Sequence, residues 1–344
     1  MEAAVSSSGK CWLTRHIKAQ RMAEIHLEYV AGDRSTATMD VVFVHGLKDD
    51  ARHTWQHDAA NPETFWPVWL AQDVQEIAVW TLGYPNPSTE WAAEAMSLYE
   101  RAVNALNHIY GPERLGSRPQ VFIAYSFGGL LVKEMLNLGI TMRRSEWTGT
   151  HKTVGVVFLA TPHSGTKLAR LATKIESFRA SKAVQDLRAY SEQLIKLRTW
   201  FEQYSHDVAL AVENYYETHQ LFRLMRSILD RLHIPIMVVE RESASGHGFP
   251  IPVDADHFQI CKPLTRESIV YNGTKKLILK VLAKLKTVMQ IKSPCFIAVA
   301  GSHDEQSRAS VIRFSGVYAI IHTIELCYEL GVVFQLCWYA LPAI

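Results

Sequence analysis

One serine in this chain sits in a setting suited to nucleophilic chemistry. Ala124-Tyr125-Ser126-Phe127-Gly128-Gly129 follows the apolar run Val121-Phe122-Ile123 and leads into Leu130–Leu136, which reads as a helix. A serine between small residues at a strand-to-helix turn is held on a sharp bend with its hydroxyl presented to a substrate. The residues two before and two after must be small for the bend to close, and here they are Ala124 and Gly128. The chemistry this implies is acyl transfer. A serine hydroxyl is a weak nucleophile, so it needs a base for its proton and N–H donors for the oxyanion that forms.

The rest of the chain holds candidates for each part. Met39–Leu47 reads as a buried strand ending in His45-Gly46-Leu47. The loop after such a strand supplies one backbone N–H of an oxyanion hole, and the residue after the nucleophile supplies the other. The expected donors are therefore the N–H groups of Leu47 and Phe127. His45 and Gly46 then fall at the substrate pocket, with Tyr125, Pro162 and His163. His45 reads equally as a turn histidine with a packing role. It is not the expected base, because the base belongs far downstream of the serine.

Ile234–Glu240 reads as the last major strand, followed by a Ser/Gly/Pro-rich loop that ends in Asp254-Ala255-Asp256-His257-Phe258. Of fifteen histidines, His257 has the position and chain order of a general base. The acid that orients it must lie between Ser126 and His257. Glu217 is favoured, at the end of the penultimate strand that Val208–Thr218 forms. Glu240 and Glu242 after the next strand are rivals. Asp254 and Asp256 rank lower, because sequence neighbours seldom reach Nδ1 with good geometry, and Glu213 falls mid-strand.

At these residues the chain resembles a known family, the serine-active-site-containing lipase-like α/β-hydrolases. Members are lipase-like serine esterases, and the module recurs at the N-terminus of fungal NACHT and ankyrin-type proteins. The matching motifs are Val42–Leu47 with Thr54-Trp55, Ser126–Lys133, Phe158–Thr166, Tyr216-Glu217-Thr218 and Asp256–Pro263. They occur in family order and the resemblance covers roughly residues 25–290. It implies an α/β-hydrolase fold, a Ser-Glu-His triad and lipid or ester substrates. One departure is Ala124-Tyr125-Ser126, where the family usually has Gly-His-Ser. The family's use as a module of immune-like receptors suggests an alternative, a hydrolase-fold interaction domain with little or no turnover.

Strands alternating with helical segments indicate a mostly parallel sheet with helices on both faces, and catalytic groups then gather at the carboxyl ends of the strands. An outer strand is expected near residues 23–30, another over Glu76–Pro85, a helix over Thr89–Ile109, a strand over Thr153–Thr161 and a closing helix over 264–290. Trp55, Trp66 and Trp69 read as core packing near the site. Lys167–Tyr204 is amphipathic and forms either a small helical cap, about residues 167–205, or a crossover helix pair.

Composition adds exclusions. Of 344 residues, 48% are hydrophobic and 20% charged, as in a globular protein. A net charge of +2 without a basic-aromatic stripe gives no support for a nucleic-acid partner. Cys11, Cys261, Cys295, Cys327 and Cys337 lie far apart with no CxxC pair, which fits a reducing compartment and no structural zinc. No metal or organic cofactor is expected. Residues 1–22 read as a polar flexible leader without a secretory core. The expected setting is intracellular, cytoplasmic or against mitochondrial or endoplasmic reticulum membranes, with peripheral membrane contact as one option. The apolar tail 291–344 is interrupted by Arg313, His322, Glu325 and Glu329. Each charge at mid-membrane costs about 3 kcal/mol, so a buried or interfacial extension is the better reading, with a non-native terminus as the other.

Overall fold

The computed structural model describes residues 25–47, 49–85, 96–110, 115–163, 191–219, 221–223, 234–236, 250–291, 295–299 and 310–314. The leader, residues 164–190, Glu240, Glu242 and most of the tail lie outside these. The chain divides into two units, Met1–Leu279 and Lys280–Ile344. The first contains a seven-stranded sheet. The second contains a two-stranded antiparallel sheet, Cys295–Val299 with Ser310–Phe314.

The large sheet is built from β1 (His26–Gly32), β2 (Met39–Val44), β3 (Ile77–Gly83), β4 (Gln120–Tyr125), β5 (Thr153–Leu159), β6 (Ala211–Glu217) and β9 (Ile251–Val253). Their order is β1-β3-β2-β4-β5-β6-β9. Only β1 runs antiparallel, against β3; every other pairing is parallel. Every residue of β2, β3 and β4 is buried. These strands read as near-continuous apolar runs because both faces of a parallel sheet are covered.

Alternation decides which helix covers which face. Val42, Val44, Phe122, Ala124, Val156 and Phe158 face a core shared with α2 (Leu98–Ile109), α3 (Phe127–Thr141) and α4 (Ser191–Asp207). Phe43 faces the other way, onto Trp55 and Trp66, the latter in α1 (Trp66–Asp73). Gly155 lies on that second face too, against Leu277 of α5 (Ile269–Ile291). Trp55 and Trp66 are fully buried, so these aromatics pack on the core. In α4, Leu194, Leu197 and Phe201 are buried, with Phe201 edge-on to Phe158. This described part of the 167–205 segment packs as a crossover helix.

The sheet's last strand is not the expected one. Ile234–Ile236 (β8) pairs antiparallel with Leu221–Arg223 (β7) as a separate two-stranded sheet. Ile251–Val253, read from sequence as loop, lies parallel to β6 and closes the main sheet. Pro252 cannot donate to a ladder, but β9 pairs along one edge only, where proline is tolerated. Three residues with a central proline carry no readable period. The pairing matters for the site: Val253 is opposite Glu217.

Candidate active site

The bend after β4 forms as its small flanking residues require. Ser126 has φ 52° and ψ −121°, a positive-φ conformation outside the left-handed helical well that costs a non-glycine residue roughly 1–3 kcal/mol. Its N–H donates to the Leu159 carbonyl at 2.8 Å, which fixes the bend against β5. A Cβ on Gly128 would collide with the main-chain carbonyl oxygens of His45 and Val44, so only glycine fits there. Ala124 is accommodated, fully buried, as the penultimate residue of the strand. Ser126 also occupies the N-cap position of α3, yet its hydroxyl makes no capping bond. That leaves Oγ for another partner.

The partner is His257. Nε2 lies 3.1 Å from Ser126 Oγ, and Nδ1 lies 3.1 Å from Glu217 Oε1. The three side chains come from the ends of β4, β6 and the loop after β9, all at carboxyl ends of parallel strands. Ser126, His257 and Glu217 are 6%, 4% and 0% exposed. Poor access to water strengthens each of these contacts. Two further bonds tie the segments of Glu217 and His257 together. Thr218 N–H donates to the Val253 carbonyl and His219 N–H to the Ala255 carbonyl, each at 3.1 Å. Trp66 Nε1 donates to the Cys261 carbonyl at 3.0 Å and pins the loop from the α1 side.

The rival acids are accounted for as follows. Asp254 pairs with His219 at 2.5 Å. Asp256 Oδ1 accepts from the N–H groups of Phe258 and Gln259 at 2.8 and 2.9 Å, capping the turn after the histidine. Glu213 accepts from the Tyr215 hydroxyl at 2.5 Å. Glu240 and Glu242 lie outside the described residues.

Phe127 is the first residue of α3. The N–H groups of a helix's first turn have no partner within the helix, and the helix dipole favours negative charge there. Leu47 follows β2, and the carbonyl of the Gly46–Leu47 peptide is held by His45. His45 Nδ1 is 2.7 Å from the Gly46 carbonyl, and His45 Nε2 is 3.2 Å from the Tyr84 N–H. Because Nε2 accepts from Tyr84, the ring proton is on Nδ1, which donates to Gly46. Gly46 C=O and Leu47 N–H belong to one planar trans peptide and point in opposite directions. Holding the carbonyl toward His45 therefore turns the Leu47 N–H away from it. Tyr84 completes the clamp: its ring stacks on His45 at 4.1 Å, and its hydroxyl donates to the His45 carbonyl at 2.6 Å. Burial lowers His45 to about 4, so it stays neutral at physiological pH. Sequence reading placed His45 at the pocket. The structure stacks it behind the loop, and Tyr84, 39 residues away, had no signal in sequence.

Pro162 and His163 are buried at the end of β5. His163 Nε2 is 3.1 Å from Asn214 Oδ1 and its ring meets the edge of Phe158. Nearby, Lys133 of α3 lies over the rings of Phe201 and Phe158, at 4.6 and 5.3 Å, and its Nζ has no hydrogen-bonding partner among the described residues. Burial brings its ammonium down to about 7. Asp49, in the loop after β2, is pushed up to about 6 by burial, with Lys262 and then His257 acting in the opposite direction against the added push from Asp50. Sequence reading did not single out Asp49.

The sheet order, the single antiparallel edge and the strained serine bend at the central strand define an α/β-hydrolase fold. No family model matches the chain. Among curated proteins the chain is similar to Protein SERAC1. Identity is 33% over 265 residues for the mouse protein and 32% over 265 residues for the human one, in each case 71% of this chain and 39% of the relative. It is 29% over 261 residues for the zebrafish protein, 70% of this chain and 38% of that one. The chain thus spans about 39% of the length of the curated relatives it matches. Among solved structures it is similar to a lipase-esterase related protein from Clostridium acetobutylicum. That match has 12% identity and a TM-score of 0.40, and covers 75% of this chain and 100% of the other. Another is phospholipase PlaB from Legionella pneumophila, with 14% identity and a TM-score of 0.43, covering 81% and 67%.

Proposed function

We propose that this chain is a serine hydrolase of carboxylic esters, with lipid-like esters as its substrate class. The observation that carries the reading is the unbroken path from Ser126 Oγ through His257 to Glu217, 3.1 Å at each step, with the serine on a strained bend. The resemblance to lipase-like esterases supports the lipid character of the substrate.

Ser126 Oγ attacks the ester carbonyl carbon as His257 Nε2 takes its proton. Glu217 holds the imidazole with its proton on Nδ1 and stabilises the imidazolium. The tetrahedral oxyanion sits between the N–H groups of Leu47 and Phe127, each such donor being worth about 3 kcal/mol. Collapse breaks the C–O bond to the alcohol, which leaves with the proton from His257. Water, deprotonated by His257, then attacks the acyl-serine; collapse returns that proton from His257 to Oγ and releases the carboxylic acid, which ionises in solvent. None of these steps uses a metal or organic cofactor.

A fluorophosphonate probe and a short-to-long acyl ester series, applied to wild type and Ser126→Ala, test the reading. Labelling and turnover are expected in wild type and lost together in the variant. Folded wild-type protein that neither labels nor turns over any ester would overturn it in favour of a hydrolase-fold interaction domain.

A further inference from the structure

His257 is held at its ring by Glu217, but one hydrogen bond at Nδ1 does not fix the main chain that carries the ring. The loop from Asp254 onward leaves an edge strand of three residues and is tied at Ala255 and Cys261, which leaves the main chain of His257 between them to a further anchor. Tyr125, the residue before the nucleophile, supplies one. Its hydroxyl donates to the main-chain carbonyl of His257 at 3.0 Å. Its ring lies 5.2 Å from the imidazole, tilted by 43°. On another side it closes against Gly46, where a Cβ would come within 2.9 Å of Tyr125 Cδ1 and Cε1. The side chain is 2% exposed. One residue therefore touches the strand of the nucleophile, the loop of the base and the loop of an oxyanion donor.

We infer that Tyr125 is a positioning residue: its hydroxyl fixes the His257 main chain so that Nε2 stays within reach of Ser126 Oγ, and its ring sets the spacing of the Gly46 loop. This deepens the serine-hydrolase reading and rests on it for the roles of Ser126 and His257. The rigid ring carries its donor from the end of β4 to the His257 carbonyl. A buried carbonyl that loses its donor is left unsatisfied, and its loop shifts to find another. Burial holds the Tyr125 phenol well above its ordinary value, so it remains a donor at any working pH.

The test is Tyr125→Phe, which keeps the ring against Gly46 and deletes one hydrogen bond. Three quantities are read: kcat and KM on the best ester, the thermal unfolding midpoint, and the far-downfield proton resonance of His257 Nδ1–H, assigned by its loss in His257→Gln. Expected are a kcat lowered about tenfold, a KM within about twofold and a midpoint lowered by only a few degrees, with the His257 resonance shifted or broadened. An unchanged kcat with an unchanged resonance would overturn the inference while leaving the hydrolase reading intact. A raised KM with an unmoved resonance would also overturn it, because Tyr125 would then be a substrate contact. Wild-type protein without turnover or labelling, whose His257 resonance still moves in the variant, would sink the hydrolase reading and leave the anchor standing. Should the variant not fold, 3-fluorotyrosine at position 125 changes only the donor strength. The His257 resonance is then expected to move with it, and its failure to move overturns the inference.

Discussion

Glu217 Oε1 stands 3.1 Å from His257 Nδ1, while Asp254, only three residues before the histidine, turns away to His219. The partner is set by strand pairing rather than by proximity in sequence. Val253 lies opposite Glu217 in the sheet, so the chain leaving β9 brings His257 back over the end of β6. Glu217→Gln keeps the volume but offers an amide that can donate to Nδ1 and so stabilise the wrong tautomer. We expect kcat to fall by roughly 10³–10⁴ with KM little changed. Asp254→Asn should stay near wild type. Steady-state kinetics of both variants check this, and the reverse ranking would reassign the acid.

How much of this was legible in sequence depends on how local each signal is. The bend at Ser126 could be read because strand, small flanking residues and helix are contiguous. The strand ending in His45-Gly46 was legible for the same reason. Chain order singled out His257 among fifteen histidines. The acid stayed one of several carboxylates, because choosing among them requires the register of β6 against β9. That register was hidden, since β9 is three residues long with a proline at its centre. Ile234–Glu240 looked the better strand by its β-branched residues, but Ile234–Ile236 pairs with β7 instead. The His45–Tyr84 clamp was illegible because it joins the ends of two strands through a stack and two hydrogen bonds, none of which leaves a periodic trace.

That clamp leads to a second expectation. His45→Phe keeps a ring on Tyr84 but deletes the bond to the Gly46 carbonyl, freeing the Gly46–Leu47 peptide to rotate. A kcat lowered about tenfold at constant KM is expected, as one oxyanion donor becomes less well aimed. The acid limb of stability should change as well. Folding lowers His45 from 6.5 to about 4, so protons favour the unfolded chain. The stability this contributes is present above pH 6.5 and is lost as pH falls from there through about 4. Urea unfolding at stepped pH should therefore show wild type losing more stability than His45→Phe across that window. Parallel curves would refute the neutral clamp.

Lys133 gives the opposite end of the pH scale. Its ammonium sits between Phe158 and Phe201, and folding lowers it from 10.5 to about 7. Between those values the unfolded chain binds the extra proton, so stability rises with pH across the window. The penalty is nearly full at pH 7 and gone above 10.5. Lys133→Met fills similar volume without the charge, and we expect it to be more stable than wild type at pH 7 by a few kcal/mol, at about 1.4 per pKa unit. The advantage should shrink steadily as pH approaches 10.5. Denaturant midpoints at pH 7, 8.5 and 10 measure it. A Met variant less stable than wild type at pH 7 would mean that contacts with the two rings outweigh the cost of burying the ammonium.

Two of the three glycines of α3, Gly128 and Gly139, separate the reactive bend from general packing. At Gly128 an added methyl meets the carbonyl oxygens of His45 and Val44, which are main chain and cannot swing aside. Either the start of α3 or the oxyanion loop must then move. Overpacking of this kind costs about 1–3 kcal/mol. Because the displaced groups carry Phe127 N–H and Leu47 N–H, Gly128→Ala should lose fluorophosphonate labelling well beyond what its lowered stability explains. At Gly139, three turns along the same helix, the methyl meets the side chain of Thr150 instead. Thr150 is buried, its Cβ would lie 2.8 Å from the added methyl and its hydroxyl is held by the Trp147 carbonyl, so this contact is overpacked too and alanine is expected to lower stability by about 1–3 kcal/mol, but away from the bend. Gly139→Ala should therefore label at the wild-type rate whatever its unfolding midpoint. If labelling instead followed midpoint alone in both variants, the bend would have no special claim on geometry, and the spacing between β2 and the start of α3 would not be what aims the two N–H groups.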